Sequence, residues 1–155
     1  MRPLGGRGLG ETPFRQSRQG GVPADPAAVT LIAAMTTRPT PQRMTAINRL
    51  IVSLKAGGVW DLMDVFYVFA AADTQAALLN WKNPGTLDAT AQGTPTFNAD
   101  RGYTGNGTTA YIATGYIPSS AGLGMTQDNA HYAARSLSSA AAGATNRLLG
   151  NGTAT

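Results

Sequence analysis

Apolar positions recur at two different periods along the chain, and the change of period falls near residue 83. From residue 25 to 57 they recur at helical spacing. Asp25 followed by Pro26 reads as an N-cap with proline at the first helical position. A short helix through about Met35 is predicted, with Val29, Ile32 and Ala33 on one side, and Thr36-Thr37-Arg38-Pro39 stops it. The signal then repeats more strongly. Thr40 caps, Pro41 opens, Met44, Ile47, Leu50, Ile51 and Leu54 recur as one stripe, and Gly57 is the C-terminal glycine. Arg43, Asn48, Arg49 and Lys55 are expected on the solvated face between those positions.

The next stretch, Val59 to Lys82, carries both tryptophans, Trp60 and Trp81, with Phe66, Tyr67 and Phe69, five of the chain's eleven aromatic residues. Residues 58–64 fit one short helical turn. Val65 to Ala70 is apolar at every position, which suits a strand buried on both faces or a packed helix segment, and its aromatics favour the strand. Asp73 caps a further helix, Thr74 to Trp81, ended by Asn83-Pro84-Gly85. The stretch reads as a junction whose core residues are Trp60, Phe66, Phe69 and Trp81.

Beyond it the pattern is that of short strands and turns. Thr94 to Phe97 reads as an edge strand, followed by turn chemistry in Asn98-Ala99-Asp100-Arg101-Gly102. Tyr103-Thr104 and Thr108 to Thr114 read as a hairpin with Gly105-Asn106-Gly107 at its tip. Asn129 to Ser136 and Asn146 to Leu149 are further strand candidates. This is the pattern of a sandwich or barrel, yet a sandwich needs about seven strands and ~100 residues. With four or five candidate strands, the chain is expected to be a fragment of a longer protein, or one whose sheet is completed by its neighbours.

Residues 1–24 show no period of either kind. Glycines at 5, 6, 8, 10, 20 and 21 and prolines at 3, 13 and 23 predict a flexible arm. Its apolar anchor is Phe14, beside Arg15 and Arg18, and with Arg2 and Arg7 these are the candidate residues for ordering against a partner. The glycine cluster Gly5-Gly6-Arg7-Gly8-Leu9-Gly10 has no strand before it and no helix after it, so it is a weak match to a phosphate loop.

Charge sharpens the division. Residues 1–57 carry eight basic and two acidic side chains, residues 58–155 four basic and six acidic, within a net charge of +4. The arginines are dispersed and not interleaved with aromatics, which disfavours nucleic acid and favours an acidic protein surface as partner. Only 13% of residues are charged, against roughly 25% in an average soluble protein, which suits a surface facing other protein. The chain has no cysteine, so disulfides and thiolate metal sites are excluded. The longest apolar run, Val65 to Ala72, is far too short for a membrane span, and the N-terminus lacks the apolar core of a signal peptide.

No set of residues forms a recognisable catalytic constellation. Asp61, Asp64 and Asp73 match no calcium loop, and capping accounts for Asp73. His131 has no acidic or cysteine company. Asn106-Gly107-Thr108 and Asn151-Gly152-Thr153 fit the glycosylation pattern, but turn formation accounts for both. No catalytic, metal or cofactor residue is expected.

Two stretches carry a resemblance. RMTAINRLIVSLKAGGVWDLMDVFYVFAAADTQAALLNWK followed by PTFNADRGYTGNGTTAYIATGYIP resembles a module of virion proteins from tailed phages, prophages and gene transfer agents. In that module a helical stretch precedes a concanavalin-A-like (laminin-G-like) β-sandwich. The likeness covers roughly Thr40 to Thr155, and its most specific part, ADRGYTGNGTTAYIATG, is similar to the opening strands of the sandwich. The arm also looks like the Gly/Arg-rich leaders that tether such proteins to a capsid or tail. The resemblance implies a structural protein, a head spike or tail fibre located on the particle and made in the bacterial cytoplasm. Its implied partners are capsid or tail proteins, a symmetric set of its own copies, and host-surface polysaccharide, with the glycan-binding residues unassigned.

The expected architecture is therefore α+β. Residues 1–24 are an anchoring arm, 25–82 a helical base, and 83–155 the start of an antiparallel, concanavalin-A-like sandwich left incomplete. The alternative is a free carbohydrate-binding module or a glycan-acting enzyme domain.

Overall fold

The computed structural model describes residues 24–118, 123–126 and 128–136. The anchoring candidates Arg2, Arg7, Phe14, Arg15 and Arg18, and the strand expected at Asn146 to Leu149, lie outside these residues. Within them the protein is α+β, with a few helices and two small antiparallel sheets.

Helix α1 spans Pro26–Ala34 and α2 spans Pro41–Ala56. Both begin as the capping signals predict. The Asp25 carboxylate accepts from the Ala27 N–H at 2.9 Å, and the Thr40 hydroxyl accepts from the Arg43 N–H at 3.4 Å. The two helices meet through Leu31 on α1 and Ile51 on α2, both fully buried. The inward face of α1 is corrected, however. Ala28 and Leu31 are buried, while Val29 is 53% exposed. In PAAVTLIAA only Thr30 is polar, so hydrophobicity alone does not choose a face.

Asn48 is a second correction. Expected on the solvated face of α2, it is buried, and its Oδ1 accepts from the Asp25 N–H at 2.7 Å. Asp25 also accepts from Lys55 Nζ at 2.6 Å, so the start of α1 is fastened to α2 at two points.

A 3-10 turn, Trp60–Leu62, closes the helical pair and buries Trp60. Val65 to Ala70 then runs extended but joins no ladder, neither the strand nor the helix its composition suggests. The physical reason lies in where its backbone groups bond. The Phe66 N–H donates to the side-chain Oδ1 of Asn80 at 3.1 Å, and the Phe66 carbonyl accepts from the Trp81 N–H at 2.7 Å. Helix α3 spans Thr74–Leu78, capped by Asp73, whose carboxylate accepts from the Ala76 N–H. It stops short of the predicted Trp81 because the Asn80 and Trp81 N–H groups are engaged elsewhere, with Asp88 Oδ1 and Phe66 O.

Four strands follow, β1 at Thr90–Gln92, β2 at Thr96–Asn98, β3 at Gly102–Thr104 and β4 at Tyr111–Ala113. β1 pairs with β4 and β2 with β3, both antiparallel, with Thr90 opposite Ala113 and Thr96 opposite Thr104. The pairing is nested, so the unit is one interrupted hairpin. Its turn is at residues 99–101, with Asp100 at φ 62°, inside the stretch 98–102 whose composition reads as a turn, while the hairpin tip predicted at Gly105-Asn106-Gly107 is not the reversal. Residues 105–110 are instead an excursion on the return strand, organised by Asn106. That side chain's Oδ1 accepts from the N–H groups of Thr108, Thr109 and Ala110. Gly93, at φ 65°, sits opposite, where an added Cβ would run into the Thr109 carbonyl. The true turn is fixed from outside the hairpin: the Asp100 N–H donates to Ala71 O at 2.8 Å, and its carboxylate pairs with Arg43 at 2.7 Å. Of the strand expected at Asn129 to Ser136, only a single bridge between Thr126 and Asn129 forms.

Asn80, 1% exposed, joins three segments. Its Oδ1 also accepts from the Lys82 N–H at 3.1 Å, and its Nδ2 donates to the Thr86 carbonyl at 2.9 Å. Replacing it would strand two N–H donors and a carbonyl in a largely buried setting, where each unmade bond costs about 1–3 kcal/mol. Asn80→Ala is therefore expected to destabilise by about 3 kcal/mol or more. A urea unfolding midpoint within error of the parent would contradict this role.

Candidate functional site

The aromatic stretch and α2 together line a concavity. Three of the four junction residues meet in one core. Trp60 and Trp81 are buried with Leu31, Ile47 and Ile51, and Phe66 packs edge-on against Trp81 at 5.8 Å between ring centres. Phe69 goes elsewhere. It stacks on Tyr67 at 5.8 Å and meets Tyr103 of β3 edge-on at 6.3 Å, which seats the hairpin against the helical base. Burial pushes Tyr67 up to about 12, so its hydroxyl remains a donor, bonded to the Leu87 carbonyl.

Trp60 is flanked by cations, with Lys82 Nζ 5.0 Å and Lys55 Nζ 5.7 Å from the ring centre. Each such contact is worth about 0.5–1 kcal/mol near a surface. Lys82 Nζ also donates to the Trp60 carbonyl at 2.6 Å, which pins the 3-10 turn from its far side.

Between the N-terminal half of α2 and residues 68–81 lies a half-open groove of about 340 Å³. Its floor and walls are apolar, from Ile47, Leu50, Val68, Ala71 and Trp81. Its charged lining residues are Arg38, Arg43 and Asp73, the last engaged in capping α3. Arg43 is committed to Asp100, and this pairing holds the Asp100 carboxyl below the usual carboxylate range. Arg38 is exposed and makes no ion pair among the described residues. A volume of this size falls at the small end of ligand and side-chain receptor sites.

No family model, curated protein or solved structure matches the chain.

The three aspartates of the aromatic stretch are separated in role. Asp73 caps α3, and Asp61 is exposed with a loose 3.7 Å contact to Lys82. Asp64 fastens a distant segment. Its Oδ2 accepts from the Tyr116 hydroxyl at 2.6 Å and its Oδ1 from the Gly124 N–H at 2.8 Å. Among the described residues no group of three His, Cys, Asp or Glu is placed to hold a metal ion. No helix among them is long and apolar enough to cross a membrane. His131 is exposed.

The sequence reasoning missed Asn80, the Asp64–Tyr116 latch and the groove. Asn80 carries no period and sits in no motif. The latch joins residues 52 positions apart.

Two predictions follow from this geometry. Trp81 Nε1 is buried without an acceptor, a penalty that partly offsets the value of burying the indole. Trp81→Ala is expected to cost about 3–5 kcal/mol through transfer and cavity terms. Trp81→Phe, which removes the orphan donor and keeps a ring, is expected to cost under about 1.5 kcal/mol. Equal losses in thermal melts of the two variants would refute the orphan-donor reading.

The latch should respond to pH. The Tyr116 hydroxyl, and then the Gly124 N–H, lower the Asp64 pKa, so its stabilisation is present above the ordinary aspartate range and is lost as pH falls through the lowered value. Burial, then the Asp64 bond, pushes Tyr116 up to about 12, so its share is intact below the ordinary tyrosine value and is lost as pH rises toward 12. Amide exchange at Gly124 should be slow at neutral pH and faster in Tyr116→Phe; identical rates in the two proteins would remove the latch.

Proposed function

We propose that the chain is a structural protein of a phage-like or gene-transfer-agent particle. It is a spike or fibre held to capsid or tail proteins through residues 1–24, with its β-rich part projecting outward. In this reading the hairpin at 90–113 supplies the opening strands of a concanavalin-A-like sandwich, and host-surface polysaccharide is what the projecting part would meet.

The observation that carries the proposal is the state of that hairpin. Its four strands are three residues each, β1 is exposed at every position, and Tyr111 on β4 is 60% exposed. Two-stranded ladders of this length are marginal in water by themselves. They are held here by the helical base, through Asp100, Phe69 and Tyr103, and among the described residues neither ladder has a third strand. Strands of that kind suit a part of a larger assembly, completed by further strands of its own or of its neighbours. The low charge content and the basic first third support the same reading, since both suit contact with other protein surfaces.

The test is occupancy of purified particles. The chain is expected to cosediment with particles from a producing strain, and a deletion of residues 1–24 is expected to leave it in the soluble fraction. Absence of the intact chain from particles would overturn the assignment, and full occupancy by the truncated chain would overturn the anchoring role of the arm.

A further inference from the structure

The groove beside α2 has a counterpart on the opposite end of the same helix. Leu62, the most exposed large apolar side chain among the described residues, is 84% exposed, and the neighbouring Asp61 side chain is 91% exposed. These two residues form a knuckle with an apolar tip and an adjacent carboxylate. The groove offers the complement, an apolar pocket of about 340 Å³ with the unpaired Arg38 among its lining residues.

The two features cannot meet within one molecule. The knuckle is tied to the C-terminal end of α2, where the Val59 N–H donates to the Leu54 carbonyl. The groove opens at the N-terminal end, beside Arg38 and Pro39. Arg43 and Lys55, which mark the two ends, are twelve residues apart, roughly 18 Å along a helix. The knuckle is also rigid, since Lys82 holds the Trp60 carbonyl and Trp60 itself is buried. Its position is therefore set before any contact forms.

We infer that a second copy of this chain docks its Asp61–Leu62 knuckle into the groove, with Leu62 entering the apolar floor and Asp61 facing Arg38. Because knob and hole lie on different surfaces, the contact is head-to-tail, and such contacts build rings when the rotation closes. The Lys82–Asp61 pair is loose and exposed, and pairs of that kind contribute little, so Asp61 is free to exchange partners. Charge argues against the chain's own residues 1–24 as the occupant. That segment brings Arg2, Arg7, Arg15 and Arg18 toward the unpaired Arg38, with Glu11 as its one carboxylate, whereas the knuckle places a carboxylate directly beside its apolar tip. The inference does not depend on particle attachment.

The test uses the purified full chain in sedimentation velocity across a concentration series, with circular dichroism melts to show that each variant is folded. Concentration-dependent association beyond the 16.0 kDa monomer is expected. Leu62→Lys and Arg38→Glu, both at exposed positions, should each weaken it by about tenfold or more. Asp61→Lys should weaken it too, and the double variant R38E/D61K should recover association, because the reversed pair is again complementary. Deleting residues 1–24 should leave association unchanged. The inference is overturned if the chain stays monomeric throughout the series, or if association survives Leu62→Lys. It is equally overturned if the double variant is no better than the singles, or if the deletion abolishes association, which would make the arm the occupant.

Discussion

The fold rests on one buried amide. Asn80 Oδ1 takes the Phe66 N–H of the stretch at 65–70 while the Trp81 N–H supplies the Phe66 carbonyl, and the same Asn80 side chain holds the Lys82 N–H and the Thr86 carbonyl. Buried backbone groups must be paired, and a chain that runs extended without a ladder has to find partners for them elsewhere. For Phe66 they come from Asn80 and the Trp81 N–H, at the place where α3 ends, where the aromatic core closes and where the loop toward β1 begins. Trp81 can occupy the core because the residue before it fixes the path of the backbone on both sides. Val68 and Ala71, from the segment that follows Phe66, line the groove together with residues of α2.

What could be read in the sequence follows from how local each signal is. The helix starts at Asp25-Pro26, Thr40-Pro41 and Asp73 are set by a side chain bonding an N–H two or three residues away. Such signals survive any tertiary context. The stripe of α2 was legible at Ile47 and Ile51, which are buried, but not at Leu50, which is 38% exposed and lines the groove. The face of α1 was not, since nearly every side chain there is apolar and only the position of α2 decides between Leu31 and Val29. Asn48 was misread for a related reason. A polar residue beside arginines looks solvated, and its actual role, accepting the Asp25 N–H, depends on a residue 23 positions away.

The hairpin shows the same limit more sharply. Gly105-Asn106-Gly107 has the composition of a tight turn, and Asn106 does fold its own loop, by accepting three successive N–H groups. Yet the strands reverse at Asp100, a non-glycine residue in the left-handed region, because Ala71 and Arg43 seize its backbone and its carboxylate. Aspartate tolerates that conformation better than most residues. Local composition offered two turns, at 98–102 and at 105–107, and the long-range contacts of Asp100 fall on the first. The candidate site was illegible for the same reason, since its walls come from two segments of the chain, residues 35–50 and 68–81.

The composition of the core explains why this chain leans on polar knots at all. Among its buried apolar residues Ala28, Ala71, Ala76, Ala77 and Ala89 contribute little area each, leaving Leu31, Ile47, Ile51, Leu79 and the two tryptophans to supply most of the hydrophobic gain. A core that small has little surplus over the conformational entropy it must overcome. Hydrogen bonds from Asn48, Asn80 and Asp64 then select one arrangement of the segments, while large apolar side chains such as Leu62, Ile117 and Tyr132 stay at the surface. Side chains of that kind add stability only when something covers them. Among the described residues alanines fill much of the core while Leu62, Ile117 and Tyr132 lie outside it, and that is the physical ground for the proposal that the chain is a component of an assembly.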